Sequence, residues 1–132
     1  MKTTFFAVLM LTALLVGSLT ACQTTAEPLT IREQDAEKTI TLETGDTLFV
    51  ELGGNITTGF NWFPAPQDPI LLNQVGEAEV IPESDLVGAP GKIVMQFKAV
   101  AQGQTVLHFD YKRSWETDEA PEKSFEVTVV VK

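Results

Sequence analysis

The chain has 132 residues, with 9 Lys plus Arg against 18 Asp plus Glu and a formal net charge of −9. An acidic surface of this kind repels a phosphate backbone, which excludes nucleic acid as a partner, and it excludes polybasic attachment to anionic lipid. The single cysteine rules out an intramolecular disulfide.

The N-terminal segment has the layout of a secretory leader. Lys2 is followed by an uncharged apolar run from Phe5 to Ala21, ending in small residues. Leu19-Thr20-Ala21-Cys22 resembles the bacterial lipobox, in which cleavage falls just before a lipid-modified cysteine. Residues 1–21 then read as a lipoprotein signal peptide, Cys22 as the lipidation site and 22–30 as a lipid-anchored tether. Residues 31–132 read as one folded domain. The competing reading of 5–21 is a retained membrane anchor, and its 17 residues sit at the short limit for a spanning helix. One acyl chain anchors weakly, so stable attachment needs more than one. The expected location is the bacterial cell envelope. Gln23 after the cysteine favours the outer membrane, facing the periplasm, by analogy with lipoprotein sorting. Losing Lys2 with the leader leaves 8 basic side chains against 18 acidic ones.

Beyond the tether, period-two alternation and turn residues dominate. Strands are predicted over 39–42, 47–52 and 60–63, the last an aromatic run stopped by Pro64 and Pro66. A weakly patterned segment covers 71–79. Ile93, Met95, Phe97 and Ala99 then share one face, followed by Leu107, Phe109 and Tyr111, and finally Phe125, Val127, Val129 and Val131. About seven strands with Gly and Pro between them predict an all-β, antiparallel sandwich or barrel, and the pattern alone does not separate the two. Three stretches fall outside it: 53–60, 82–92 and 112–123. Loops on a rigid β scaffold are where function concentrates.

Catalysis finds little support. The only histidine, His108, alternates outward with Val106 and Asp110. With no second histidine and the cysteine assigned to lipid, Cys-His and Ser-His-Asp arrangements lack partners. Zinc lacks a ligand set for the same reason. Glu116, Asp118, Glu119 and Glu122 crowd one loop and read as a solvated acidic face rather than a paired-carboxylate site. No enzyme activity, metal or cofactor is expected.

The three odd loops, taken in order, resemble the chagasin family of inhibitors of papain-like cysteine peptidases. Asn55-Ile56-Thr57-Thr58-Gly59-Phe60 matches the family's N-P-T-T-G-[FY] motif. Gly88-Ala89-Pro90-Gly91 matches its G-x-x-G motif before a long strand, and Arg113-Ser114-Trp115-Glu116 its R-P-W-E motif. The resemblance covers nearly all of 38–132. It implies an immunoglobulin-like sandwich and a reversible inhibitor, with the three loops gathered at one end as a wedge for the peptidase cleft. It also implies a papain-family peptidase as partner. The inhibitor itself is expected to be a monomer.

On that reading Gly59 permits a positive φ and lets Thr57 and Thr58 project toward the catalytic thiol. Asn55 ties the loop, Phe60 anchors it, and Gly88 to Gly91 offers backbone groups. Trp115 supplies the aromatic hot spot, with Arg113 making a directed contact or stacking beside it. Trp62 is expected in the core. Two positions depart from the family: Ile56 and Ser114 stand where it has proline. Free loops without proline are expected to be looser, at about 0.4–1 kcal/mol per site. The alternative is a non-catalytic envelope module binding another protein or a sugar through the same loops.

Overall fold

The structure, a computed structural model, describes residues 26–132. The apolar run 5–21 and Cys22 lie outside these residues. Among the described residues, nine strands form two sheets: β1 (Leu29–Arg32), β2 (Thr39–Leu42), β3 (Thr47–Gly54), β4 (Phe60–Pro64), β5 (Leu72–Gln74), β6 (Glu79–Pro82), β7 (Gly91–Ala99), β8 (Gly103–Arg113) and β9 (Lys123–Val131). One sheet has the order β1-β3-β7-β5, with β6 also pairing with β7; the other has the order β2-β9-β8-β4.

The alternation read from the sequence sets which faces meet. Leu48, Val50 and Leu52 on β3 and Ile93, Met95, Phe97 and Ala99 on β7 are buried, as are Leu107, Phe109 and Tyr111 on β8 and Phe125, Val127, Val129 and Val131 on β9. Phe97 of one sheet meets Phe109 of the other edge-on, with ring centroids 5.8 Å apart. Each large side chain removed from water contributes about 1.5–3 kcal/mol, so this layer drives the sandwich together. Trp62 joins the core beside Tyr111, at 5.0 Å between rings.

The structure departs from the expected antiparallel seven-strand sandwich in three ways. The first strand starts at Leu29, inside the stretch assigned to the tether, with Ile31 buried and β1 paired with β3. The weak segment 71–79 becomes two short edge strands, β5 and β6, paired with different parts of β7. Two pairings are parallel, β1 with β3 and β2 with β9. The chain crosses from one sheet to the other through a 3-10 turn at Glu33–Asp35, so β1 and β2 border different sheets. A short edge strand carries no long alternation, and β1 hides in a polar, proline-bearing segment.

His108 does face outward, and it is the centre of a charged cluster. Its Nδ1 lies 3.0 Å from Glu126 Oε2 and its Nε2 2.9 Å from Asp110 Oδ1, which also accepts from Ser124. Two carboxylates on the two ring nitrogens require both nitrogens to donate, which only the imidazolium does. Burial pushes His108 down, but the hydrogen bonds it donates to Asp110 and Glu126 outweigh it and hold the ring above its ordinary 6.5. Burial likewise pushes Asp110 up, and His108 and Ser124 outweigh it and hold the carboxyl below 3.8.

The signs differ for the two groups. The raised histidine contributes stability in full below the unfolded value near 6.5 and loses it as pH rises through the folded value. The lowered carboxyl contributes above 3.8 and loses it as pH falls through its folded value. His108→Gln is therefore expected to lower Tm most between these limits and progressively less as pH rises above 6.5. Thermal unfolding of both proteins from about pH 5 to about pH 9 measures this, and a Tm difference independent of pH contradicts it.

Candidate functional site

β3, β7 and β8 direct three loops to one end of the sandwich. Loop 1 (55–59) leaves the end of β3 and returns as β4. Loop 2 (83–90) joins β6 to β7, and loop 3 (114–122) joins β8 to β9. In the pairing of β3 with β7, Gly54 lies opposite Gly91, so loops 1 and 2 emerge side by side. In the pairing of β4 with β8, Phe60 lies opposite Arg113, which sets loop 3 on the other side of loop 1.

Loop 1 is a single 3-10 turn, Ile56–Thr58, capped by Asn55. Asn55 Oδ1 accepts from Thr57 N at 3.1 Å and from Thr57 Oγ1 at 2.5 Å. Thr58 Oγ1 donates to Asn55 O at 2.6 Å. The turn closes at Gly59, whose N–H donates to Ile56 O at 3.0 Å and whose φ of +84° favours glycine. Gly59 is fixed for a second reason, since a Cβ there would overlap the indole ring of Trp115.

The loops are bonded to one another. Asn55 Nδ2 donates to Gly88 O at 2.9 Å, joining loop 1 to loop 2. Arg113 Nε donates to Thr58 O at 3.0 Å, tying loop 1 to the start of loop 3. Asn55 N donates to the Tyr111 hydroxyl at 2.8 Å, and Tyr111 stacks on Phe60 at 5.2 Å. The Arg113 guanidinium lies 4.3 Å from the Phe60 ring centroid, and its Nη1 donates to Glu116 Oε1 at 3.1 Å. Loop 2 is closed at its neck by Glu83 N donating to Pro90 O at 3.0 Å. Gly91 is required there, because a Cβ would come within 2.5 Å of Ile81 O.

All thirteen residues singled out from the sequence, Asn55 to Phe60, Gly88 to Gly91 and Arg113 to Trp115, fall at this end of the molecule. Their placement revises several expected roles. Of the two roles expected for Arg113, stacking beside Trp115 is the one found, with the guanidinium 6.0 Å from the indole centroid, while its N–H groups are engaged within the loops rather than free for a partner. Ile56 and Ser114 lack the rigidity of proline, yet each sits in a turn held by hydrogen bonds: the Asn55 cap at Ile56, and at Ser114 the bond from Glu116 N to Arg113 O at 3.2 Å. The expected looseness is thus opposed by side-chain ties.

Two candidate contact residues escaped the sequence reading. Leu86 and Val87, just before Gly88, are 77% and 105% exposed, more than any other large apolar side chains among the described residues. With Ile56 and Val80 they border an apolar groove of about 500 Å³ between loops 1 and 2. Apolar residues in mid-loop were the available signal, hidden by attention to the glycines. Tyr111 is buried, as its alternation predicts, and its hydroxyl also supports Asn55. The tip contains Thr57 and Thr58, both exposed, and Trp115 at 66% exposure.

No group of three His, Cys, Asp or Glu among the described residues is placed to hold a metal ion. His108 lies on the outer face of its sheet with its ring nitrogens occupied, away from the loops. The arrangement is suited to shape-selective contact: small hydroxyls at the centre, an aromatic plane on one side and two aliphatic side chains on the other. Asn55→Ala removes the cap and the link to loop 2 and is expected to lower stability by about 1 kcal/mol, measured by urea unfolding. No measurable change would mean that the loop is held by other contacts.

The comparisons agree with this geometry. The family model described as chagasin family peptidase inhibitor I42 matches residues 41–129. The cysteine protease inhibitor EhICP2 from Entamoeba histolytica superposes with a TM-score of 0.69 at 23% identity, covering 79% of this chain and 95% of its own. Amebosin in solution gives 0.64 at 23% identity, covering 80% and 98%. PbICP-C, solved in complex with falcipain-2, gives 0.52 at 20% identity, covering 79% and 92%. At these identities the structural likeness carries the fold. No curated protein sequence matches the chain significantly. The motif order, the sandwich and the match across its length together establish that the chain belongs to the chagasin family of peptidase inhibitors.

Proposed function

We propose that loops 1, 2 and 3 form a wedge that enters the active-site cleft of a papain-like cysteine peptidase and blocks it reversibly. The observation that carries this is the mutual bonding of the three loops at one end of the sandwich, through Asn55 to Gly88 and Arg113 to Thr58. Loops already held in place lose less entropy on binding. PbICP-C, a protein of like fold, was solved in complex with falcipain-2, and the family match extends a peptidase partner to this chain.

The chemistry of the tip suits such a cleft. Thr57 and Thr58 are small enough to approach a thiolate closely and polar enough to hydrogen-bond around it. A 3-10 turn is not the extended conformation in which a peptidase takes a substrate, so the loop is a poor target for attack. Trp115 flanks one side with a flat, rigid surface, and Leu86 with Val87 flank the other. The chain acts here as a ligand of the peptidase, with no catalytic role of its own. A contact of ordinary size, about 1,600 Å² in total, accommodates all three loops.

The same reading places the protein at the bacterial cell envelope, held by lipid on Cys22, at the outer membrane and facing the periplasm. The lipobox-like Leu19 to Cys22 supports the anchor, and Gln23 supports the outer membrane. Mass spectrometry of the chain isolated from bacterial membranes checks the modification.

Titrating papain with the protein tests the inhibition. Stoichiometric, reversible loss of activity is expected. No loss at micromolar concentration across papain and cathepsin-like enzymes would favour an envelope module that binds some other protein or a sugar.

Trp115→Ala is expected to weaken inhibition of papain by about 2 kcal/mol or more, roughly thirtyfold. Inhibition within about twofold of the unmodified protein would remove loop 3 from the contact. Replacing Leu86 and Val87 together by alanine is expected to weaken inhibition about tenfold or more with Tm unchanged, since both side chains are exposed. Unchanged inhibition would show that loop 2 contributes backbone alone.

A further inference from the structure

The sandwich has two poles, and the strand directions fix what lies at each. β3 starts beside the Glu43–Asp46 turn and runs straight into loop 1. β1 pairs with β3 in parallel, with Leu29 opposite Leu48, so it starts where β3 starts. Ala26 and Pro28 line one open hollow together with Glu43 to Thr47. The N-terminal tether therefore reaches the domain at the pole opposite to the three loops. Six residue steps separate Leu48 from Gly54, about 20 Å at strand rise. From Cys22 to Leu29 the chain spans at most about 25 Å.

We propose that lipid on Cys22 holds the domain by this far pole, so that the anchored inhibitor presents its loops to water and takes a soluble peptidase rather than one seated in the same membrane. This rests on the lipid anchor and the inhibitory loops proposed above. With the tether extended, the loops stand about 45 Å from the lipid surface, room enough for a small globular enzyme to dock end-on. The charges at the anchored pole do not oppose that posture. Glu27, Glu43 and Asp46 outnumber Lys98 and Lys132 there, and the chain as a whole carries twice as many acidic as basic side chains, so anionic headgroups do not hold the domain against the surface. A peptidase whose cleft opens close to the same bilayer would face the wrong pole. The soluble partner instead meets the three loops, with the sandwich between it and the membrane.

Both tryptophans report on this polarity. Trp62 Nε1 donates to Gly53 O at 3.0 Å, just below loop 1, and Trp115 packs on Gly59. The experiment uses the full lipidated chain, purified from bacterial membranes and reconstituted into vesicles of brominated phosphatidylcholine. Tryptophan emission is expected to match that in unbrominated vesicles, while acrylamide in the water quenches Trp115. Quenching by the brominated chains overturns the proposal. In parallel, papain inhibition by the vesicle-bound protein is expected to stay within about threefold of that in detergent micelles, and a larger loss also overturns it. Failure to inhibit in detergent would count against the peptidase reading alone, with polarity still decided by quenching. A chain whose mass shows no acyl groups overturns the anchor and this proposal with it.

Discussion

Asn55 engages all four of its polar atoms. Its N–H reaches the Tyr111 hydroxyl, its carbonyl and side-chain oxygens take the N–H and hydroxyl groups of Thr58 and Thr57, and its side-chain amide reaches Gly88 O. Loops beyond the end of a sheet have no ladder to satisfy their backbone, and here one short side chain substitutes for it. Because Tyr111 is held by Trp62 and Phe60, the tip inherits the position of the core. Because Gly88 belongs to loop 2, the same residue sets the spacing of two loops. Arg113 does the corresponding task on the other side, bonded to Thr58 and resting on Phe60.

This arrangement explains how the chain dispenses with proline at Ile56 and Ser114. Proline stiffens a loop through its own ring, without help from neighbours. Hydrogen bonds between loops achieve a related end by coupling each loop to the others. The consequence is a site whose parts are interdependent: a change at Asn55 or Arg113 reaches residues that neither touches. Ile56, freed from the proline role, lends an apolar side chain to the groove beside Leu86 and Val87.

Much of the fold was legible because a half-buried strand announces itself by alternation. The long strands β7, β8 and β9 carry four, three and four consecutive inward apolar positions, and each such residue is buried. Three short edge strands were not clearly legible. β1, β5 and β6 have four residues or fewer and little apolar alternation, and β6 is exposed throughout, whereas β2, equally short, alternates Thr-Ile-Thr-Leu. The parallel pairings were equally invisible, because nothing local in a sequence states which sheet a strand will border. The His108 cluster was half legible: alternation sent the side chain outward, but its partner Glu126 lies on another strand.

The sequence by itself determined the class of fold, the inward faces of the main strands, and the three motifs in their order. These are local properties, set by side-chain pattern and by the backbone freedom of residues such as Gly59. The motifs' resemblance to a family implied that they converge at one pole, but only the tertiary structure decided how they are joined there, that Arg113 and Asn55 are engaged within the loops, and that Leu86 and Val87 stand free beside them. It also decided that β1 enters the sandwich at the opposite pole. Each of these depends on strand direction and register across distant segments, such as Gly54 against Gly91 and Leu29 against Leu48. Such pairings are selected by burying a common core, and so they exist only once the whole chain has folded.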